Sequence, residues 1–234
     1  MNRLAIFDID GTLTDTNGVD DDCYRAAVAD ALAIDPGAYD WEQAAHITDA
    51  GIFQWVACEL GLPAPSSAET ERAIATLGEQ LAAVCEREPH RFAEIAGASA
   101  ALNALRADGW CVAVATGCWG VSARLKLRAA GINVPEAVVA CADDAIARAD
   151  IVQLAQRRAE QHYGQTFDRV VALGDGPWDV RAAAELGIPF IGIGGRAPEL
   201  RRLGASYVLP DYRDVEALRR ALVEAVAPTA PSAT

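Results

Sequence analysis

The sequence predicts an α/β fold, and three observations carry that prediction. Short, continuously apolar runs recur along the chain, amphipathic stretches separate the later ones, and one long interval shows helical patterning alone. A strand with one wet face alternates polar and apolar residues, whereas a strand covered on both faces reads as an unbroken apolar run. Such runs alternating with helices mean a doubly wound, Rossmann-like parallel sheet with helices on both sides.

The predicted strands are Leu4–Phe7, Val112–Ala115, Val138–Cys141, Val170–Leu173, Phe190–Ile193 and Tyr207–Leu209, each running into an acidic, glycine, threonine or proline residue. Gly120–Ala130, Ala149–His162, Asp179–Leu186 and Asp214–Ala225 have helical patterning and lie among the later strands. The interval from Thr14 to about Phe92 holds only helical candidates, near Asp21–Leu32, Trp41–Leu60 and Ser67–Glu88, with breaks at Asp35-Pro36-Gly37 and Gly61-Leu62-Pro63. This divides the chain into an α/β core of residues 1–14 and 93–227, a helical insert of residues 15–92 and a Pro/Ala/Ser-rich tail of residues 228–234 expected to be disordered. Ligands of open α/β sheets bind at the C-terminal ends of the strands, so an insert placed there encloses a site.

Composition narrows the function classes. With 52% hydrophobic and 23% charged residues among 234, the chain can bury a substantial core. Its net charge of −13 repels phosphate backbones and anionic lipid, and no basic patch offsets it, so nucleic-acid and membrane partners are not expected. No apolar run is long enough for a membrane helix and no secretory leader pattern opens the chain, which points to the cytoplasm. The six cysteines are widely spaced, with no metal-binding pairs, and read as small reduced hydrophobes. Lys126 is the sole lysine among 20 basic residues.

The sharpest chemical signal is Asp8-Ile9-Asp10-Gly11-Thr12-Leu13-Thr14, directly after the first strand. Two carboxylates at i and i+2 on a strand end lie close together, and Gly11 lets the backbone turn tightly beside a bound group. Neighbouring anions resist ionising together unless a cation lies between them. A hard divalent cation with oxygen ligands meets that need and would supply positive field for an anionic substrate. A plain strand-end turn is the alternative reading of Asp-x-Asp alone.

On these residues the chain resembles the haloacid dehalogenase superfamily, whose first motif is Asp-x-Asp-Gly-Thr-hydrophobic after strand one. Val112-Ala113-Val114-Ala115-Thr116-Gly117 resembles its second motif and Gly174-Asp175-Gly176-Pro177-Trp178-Asp179 its fourth, in the family order. The helical insert resembles the C1-type cap of phosphoglycolate-phosphatase-like members. The resemblance implies Asp8 as nucleophile forming an aspartyl-phosphate and Asp10 as general acid and base. It implies that Thr116 and the Gly117 N–H hold the transferred group, with Gly11 beside it. It also implies Mg2+ held by Asp8, the Asp10 carbonyl, Asp175 and Asp179. Thr116 and Asp179 could instead be ordinary residues of helix N-termini.

The family usually places a lysine in its third motif. Arg148 stands where that motif is expected and keeps the charge, while Lys126, ten residues past Thr116 on an apparent helix, reads as a solvated surface lysine. Asp15, Thr16 and Asn17 lie on the exit toward the insert, and Thr48-Asp49 resembles a segment of some phosphoglycolate-phosphatase-like caps; Thr16 and Thr48 are the candidates for substrate binding, although Thr48 or Asp49 could equally cap a helix. His46 reads as a surface residue, and Trp119 and Trp178 flank the second and fourth motifs.

The expected function is Mg2+-dependent hydrolysis of a small phosphorylated metabolite by a monomer or homodimer. A phosphomutase of the β-phosphoglucomutase type and a non-catalytic binding protein retaining the fold are the alternatives. A dehalogenase would not need Asp10, since a departing halide takes no proton. A phosphonatase needs a cap lysine, and residues 15 to 95 contain none.

Overall fold

In the computed structural model the described residues are 1–35 and 39–229, so Pro36 and Gly37 of one expected break and residues 230–234 of the expected tail lie outside them. Pro228, assigned to that tail, is buried beside Gly204.

Six strands form one parallel sheet: β1 (Arg3–Phe7), β2 (Trp110–Ala115), β3 (Val139–Ala140), β4 (Arg169–Gly174), β5 (Phe190–Ile193) and β6 (Tyr207–Leu209), in the order β3-β2-β1-β4-β5-β6. Alternate residues of β1 enter opposite layers: Ala5 and Phe7 join the cluster containing Leu102 and Leu218, and Leu4 and Ile6 the one containing Ile151 and Val152. That two-sided burial is why β1 is an unbroken apolar run. Each fully buried leucine, isoleucine or phenylalanine contributes on the order of 1.5–3 kcal/mol.

The register positions the chemistry. Phe7 pairs with Val114 on one side and Leu173 on the other, so Asp8, Thr116 and Asp175 leave three adjacent strands at the same sheet edge. The strand order reverses about β1, which makes that edge the switch point where a ligand crevice forms.

Residues between β1 and β2 form α1 (Asn17–Leu32), α2 (Asp49–Glu59), α3 (Ser67–Arg87) and α4 (Ala98–Ala107). Val28, Phe53, Leu77 and Leu81 build a hydrophobic cluster apart from the sheet, joined by Phe92 and Trp119. The single helix expected over Trp41–Leu60 is in fact a 3-10 turn at Trp41–Gln43 followed by α2. Asp40 caps the turn, its side chain accepting from the Glu42 N–H, and Thr48 interrupts the expected helix by accepting from the Gly51 N–H at 3.1 Å and starting a fresh one. Beyond β2 follow α5 (Gly120–Ala129), α6 (Arg148–Tyr163), α7 (Pro177–Leu186), α8 (Ala197–Arg202) and α9 (Val215–Glu224). The short α4 and α8 had no counterpart in the sequence reading. Among the described residues no helix is long and apolar enough to cross a membrane.

Candidate active site

Asp8 leaves β1 buried, its backbone N–H bonded to the Leu173 carbonyl at 3.0 Å. Arg148 opens α6 and reaches it: Nη2 lies 2.7 Å from Asp8 Oδ1 and 2.8 Å from Asp179 Oδ1, and Nε donates to the same Asp179 oxygen at 2.9 Å. Asp179 sits in the first turn of α7 and its other oxygen accepts from the Gly176 N–H at 3.1 Å. Burial drives the Asp8 carboxyl well above its usual range; Arg148 opposes this, but the charges of Asp179, Asp175 and Asp10 add to it. Burial also works against the Arg148 charge, and Asp179 and Asp8 outweigh it, so the guanidinium stays protonated. Arg148, not Lys126, is thus the cation placed on Asp8.

The reading of Lys126 as a solvated surface residue is overturned. Its side chain is fully buried, with Nζ 2.8 Å from Asp10 Oδ2, ion-paired to Asp20 of α1 and 3.2 Å from the Cys118 sulfur. Burial disfavours its charge, yet Asp10 and Asp20 raise its pKa well above the ordinary lysine value. Asp10 also accepts from the Cys118 thiol at 2.8 Å and from the Thr16 hydroxyl at 2.5 Å. Burial pushes Asp10 up, but Lys126 and these bonds outweigh it and leave its carboxyl below the usual range. One signal was available: Ser122, Ala123, Lys126 and Leu127 of α5 are all buried, a spacing that puts Lys126 on the inward face.

A cavity of about 100 Å³ opens over Asp8, Asp10 and Asp175, with Thr116, Gly117 and Arg148 also in its wall. A side chain at Gly117 would meet Arg148 Nη1 at 2.5 Å and the Ile47 carbonyl at 2.9 Å, so α2 and the loop before it sit directly over the second-motif loop. The Asp49 N–H donates to the Gly117 carbonyl at 2.7 Å, fixing the two segments together. Thr48 lines the cavity, but its hydroxyl donates to the Ile146 carbonyl at 2.9 Å as well as capping α2. Thr16 is buried against Asp10 and does not line the cavity. Trp178 lines the mouth with Trp41, ring centroids 6.1 Å apart, whereas Trp119 is buried between Tyr24 and Phe53. His46 is exposed. Asn17 and Asp49, which the sequence marks on the cap side, also line the cavity, as do Asp20, Asp21 and Tyr24, which it does not mark because helical patterning gives no sign of which polar residues face inward.

The residues present fit a hard divalent cation. Carboxylate oxygens of Asp8, Asp175 and Asp179 lie within 4.8 Å of one another, and all three residues are buried. Gly11, at φ +68°, has no side chain where a Cβ would strike Asp175 Oδ2, so the backbone leaves that carboxylate room. Asp10 belongs to this group by its position in the loop, but its side chain turns to Lys126 instead.

Burial, then the Asp179 charge, push Asp175 up to about 7, against a hydrogen bond from Asn17 at 3.1 Å. In the metal-free protein the folded state therefore holds a proton between about pH 4 and 7 that the unfolded state has lost, and stability falls as pH rises through that window. Carboxyls held low, such as Asp10, act below their usual pKa and so outside it. Urea midpoints of chelator-treated protein are expected to fall from pH 4 to 7, with a shallower slope in Asp175→Asn, and Mg2+ at pH 7 restores stability to the native sequence only.

No curated protein matches the chain in sequence. Among solved structures, a hydrolase from Pseudomonas syringae is 23% identical with a TM-score of 0.69, covering 92% of this chain and 96% of its own. CbbY from Rhodobacter sphaeroides in complex with phosphate is 21% identical with a TM-score of 0.67, over 92% and 96% of the two chains. A HAD hydrolase, family IA, variant 3 from Entamoeba histolytica reaches a TM-score of 0.71 at 13% identity, over 96% and 100%. At these identities the likeness is one of fold. The family model described as haloacid dehalogenase-like hydrolase matches residues 3–187, which contain all four motif segments, and the chain belongs to that family.

Proposed function

We propose that the protein is a Mg2+-dependent phosphatase that hydrolyses a small phosphomonoester through an aspartyl-phosphate on Asp8, with residues 15–92 acting as a cap on a core of residues 1–14 and 93–227. The observation that carries this reading is a buried carboxylate, Asp8, on the cavity floor beside a fixed guanidinium, with a second carboxylate two residues on held by its own ammonium. CbbY, bound to phosphate in its structure, supports a phosphorylated ligand for this architecture.

In this cycle an Asp8 oxygen attacks phosphorus and the alcohol departs with a proton from Asp10. Water then attacks the aspartyl-phosphate, giving its proton back to Asp10, and phosphate leaves. Arg148 neutralises charge shared by Asp8 and the phosphoryl oxygens. The Thr116 hydroxyl accepts from the Cys118 N–H at 3.2 Å, which leaves its own proton for a phosphoryl oxygen. Asp8, Asp175 and the Asp10 carbonyl would hold Mg2+, with Asp179 tying Arg148 in place beside them. Bound there, the ion supplies the remaining positive charge on the phosphoryl group.

Two controls test the reading. Asp8→Asn is expected to lose at least about a thousandfold in turnover of p-nitrophenyl phosphate, and chelation of Mg2+ to abolish it reversibly. Undiminished turnover in Asp8→Asn would overturn the mechanism. Turnover that appears only with a sugar bisphosphate activator would replace hydrolysis by phosphoryl transfer between sugar positions.

A further inference from the structure

Among the described residues six carboxylates line the cavity, those of Asp8, Asp10, Asp20, Asp21, Asp49 and Asp175, against one cation, Arg148. Asp8, Asp10 and Asp175 serve the phosphoryl group. The other three lie on the helical insert, two on α1 and one on α2. Asp20 is ion-paired to Lys126 and accepts from Ser122 at 3.0 Å, and Asp21 is paired with Arg25 at 3.0 Å and accepts from Trp41 Nε1 at 2.8 Å. Asp49 differs. It is 6% exposed, its Oδ2 accepts the Trp119 N–H at 2.6 Å, and among the described residues no basic side chain lies within ion-pair distance of it.

A buried carboxylate without a cation is costly, and a ligand that brings a positive charge removes the cost. Burial, then Asp20, raise its pKa well above the usual carboxylate value, outweighing the Lys126 charge and the Trp119 N–H. Tyr24, Trp41 and Trp178 line the same cavity and offer aromatic faces, which also attract cations. A second anion on the substrate would meet these carboxylates with no basic side chain free to receive it. Of the cations beside lining residues, Arg196 lies over the Trp178 ring and is 3.4 Å from Glu42, and Arg25 is held by Asp21 at 3.0 Å.

Building on the phosphatase reading, we propose that the substrate is a compact phosphomonoester whose alcohol carries an ammonium group, seated against Asp49, and that esters bearing a second anion are rejected. The insert selects by charge. The core performs the same displacement whatever the alcohol.

The test compares three esters of matching length on the wild-type enzyme with Mg2+: 2-aminoethyl phosphate, ethyl phosphate and 2-phosphoglycolate. The expected kcat/KM is highest for the ammonium ester, at least about tenfold above the neutral one, with the carboxylate ester lowest. Asp49→Asn keeps an oxygen for the Trp119 N–H and is expected to bring the first two within about threefold, acting on KM. Equal or better use of 2-phosphoglycolate, or failure on the ammonium ester while p-nitrophenyl phosphate is hydrolysed, overturns the proposal, as does an Asn variant that keeps the full preference. The wild-type comparison stands even if that variant does not fold. Loss of p-nitrophenyl phosphate turnover in Asp8→Asn is read separately, so a wrong alcohol leaves the phosphatase reading intact.

Discussion

Arg148→Ala will lower kcat by about a thousandfold, the scale set by removing a preorganised cation from a phosphoryl-transfer site. Among the described residues the guanidinium is the one cation in the cavity wall, and it bridges Asp8 and Asp179 within 2.9 Å. Without it the attacking carboxylate faces a phosphoryl anion beside Asp175 and Asp179, with Lys126 already held by Asp10 and Asp20. The loss should fall on kcat more than on KM, because the charge matters most as the nucleophile closes on phosphorus. Stability should fall too, since removing one partner of a buried pair costs about 3–5 kcal/mol, reduced here as Asp8 takes up a proton. Arg148→Lys should recover part of the rate only. An ammonium restores a point charge but not the fork that binds Asp8 and Asp179 together. Steady-state rates and urea midpoints for the two variants check both claims, and an alanine variant within tenfold of the native rate would sink the assignment.

The strands were legible to within a few residues because burial on both faces leaves an unbroken apolar run, as at Leu4–Phe7 and Phe190–Ile193. The carboxylates Asp8, Asp10 and Asp175 were legible for a related reason: they follow strand ends, which parallel register brings together, and Asp179 lies in the first turn of the helix just beyond. Arg148 was placed just ahead of its helix by the order of the motifs, and in the structure it is the first residue of α6. The rest depended on contacts between distant parts of the chain. Lys126 reaches Asp10 across 116 positions, and a lysine on a helix is ordinarily solvated, so only its place on the inward face of α5 hinted otherwise. Asp49 could be read as a helix-starting residue, but its lack of a counter-ion is a property of what surrounds it. The break before α2 was missed because apolar spacing continues through it, while Thr48 resets the backbone.

Lys126→Met will convert the enzyme into one that forms its aspartyl-phosphate and then stalls. The ammonium favours the ionised form of Asp10, the form left once Asp10 has given its proton to the alcohol and the one needed to take a proton from the hydrolytic water in the second half of the proposed cycle. With the charge removed, burial dominates at Asp10 and raises its pKa, while Asp20 loses the same partner. The first half behaves differently for a leaving group such as p-nitrophenolate, which departs without a proton. Rapid mixing with p-nitrophenyl phosphate should therefore show a burst of product approaching one per active site, followed by turnover about a hundredfold below the native rate. The sign of the linkage is also fixed. A carboxyl held low stabilises the fold above its unfolded pKa and loses that contribution as pH falls through the folded value, so the native protein gains from Asp10 at neutral pH and the methionine variant does not. Two buried carboxylates then share no cation, and the variant should be less stable by about 3–5 kcal/mol at pH 7. Lys126→Met with Asp20→Asn should recover part of that stability, because one of the two orphaned charges is gone, yet keep the burst. A methionine variant with native turnover and no burst would show that Lys126 only packs, and that Asp10 is set by Thr16 and Cys118 alone.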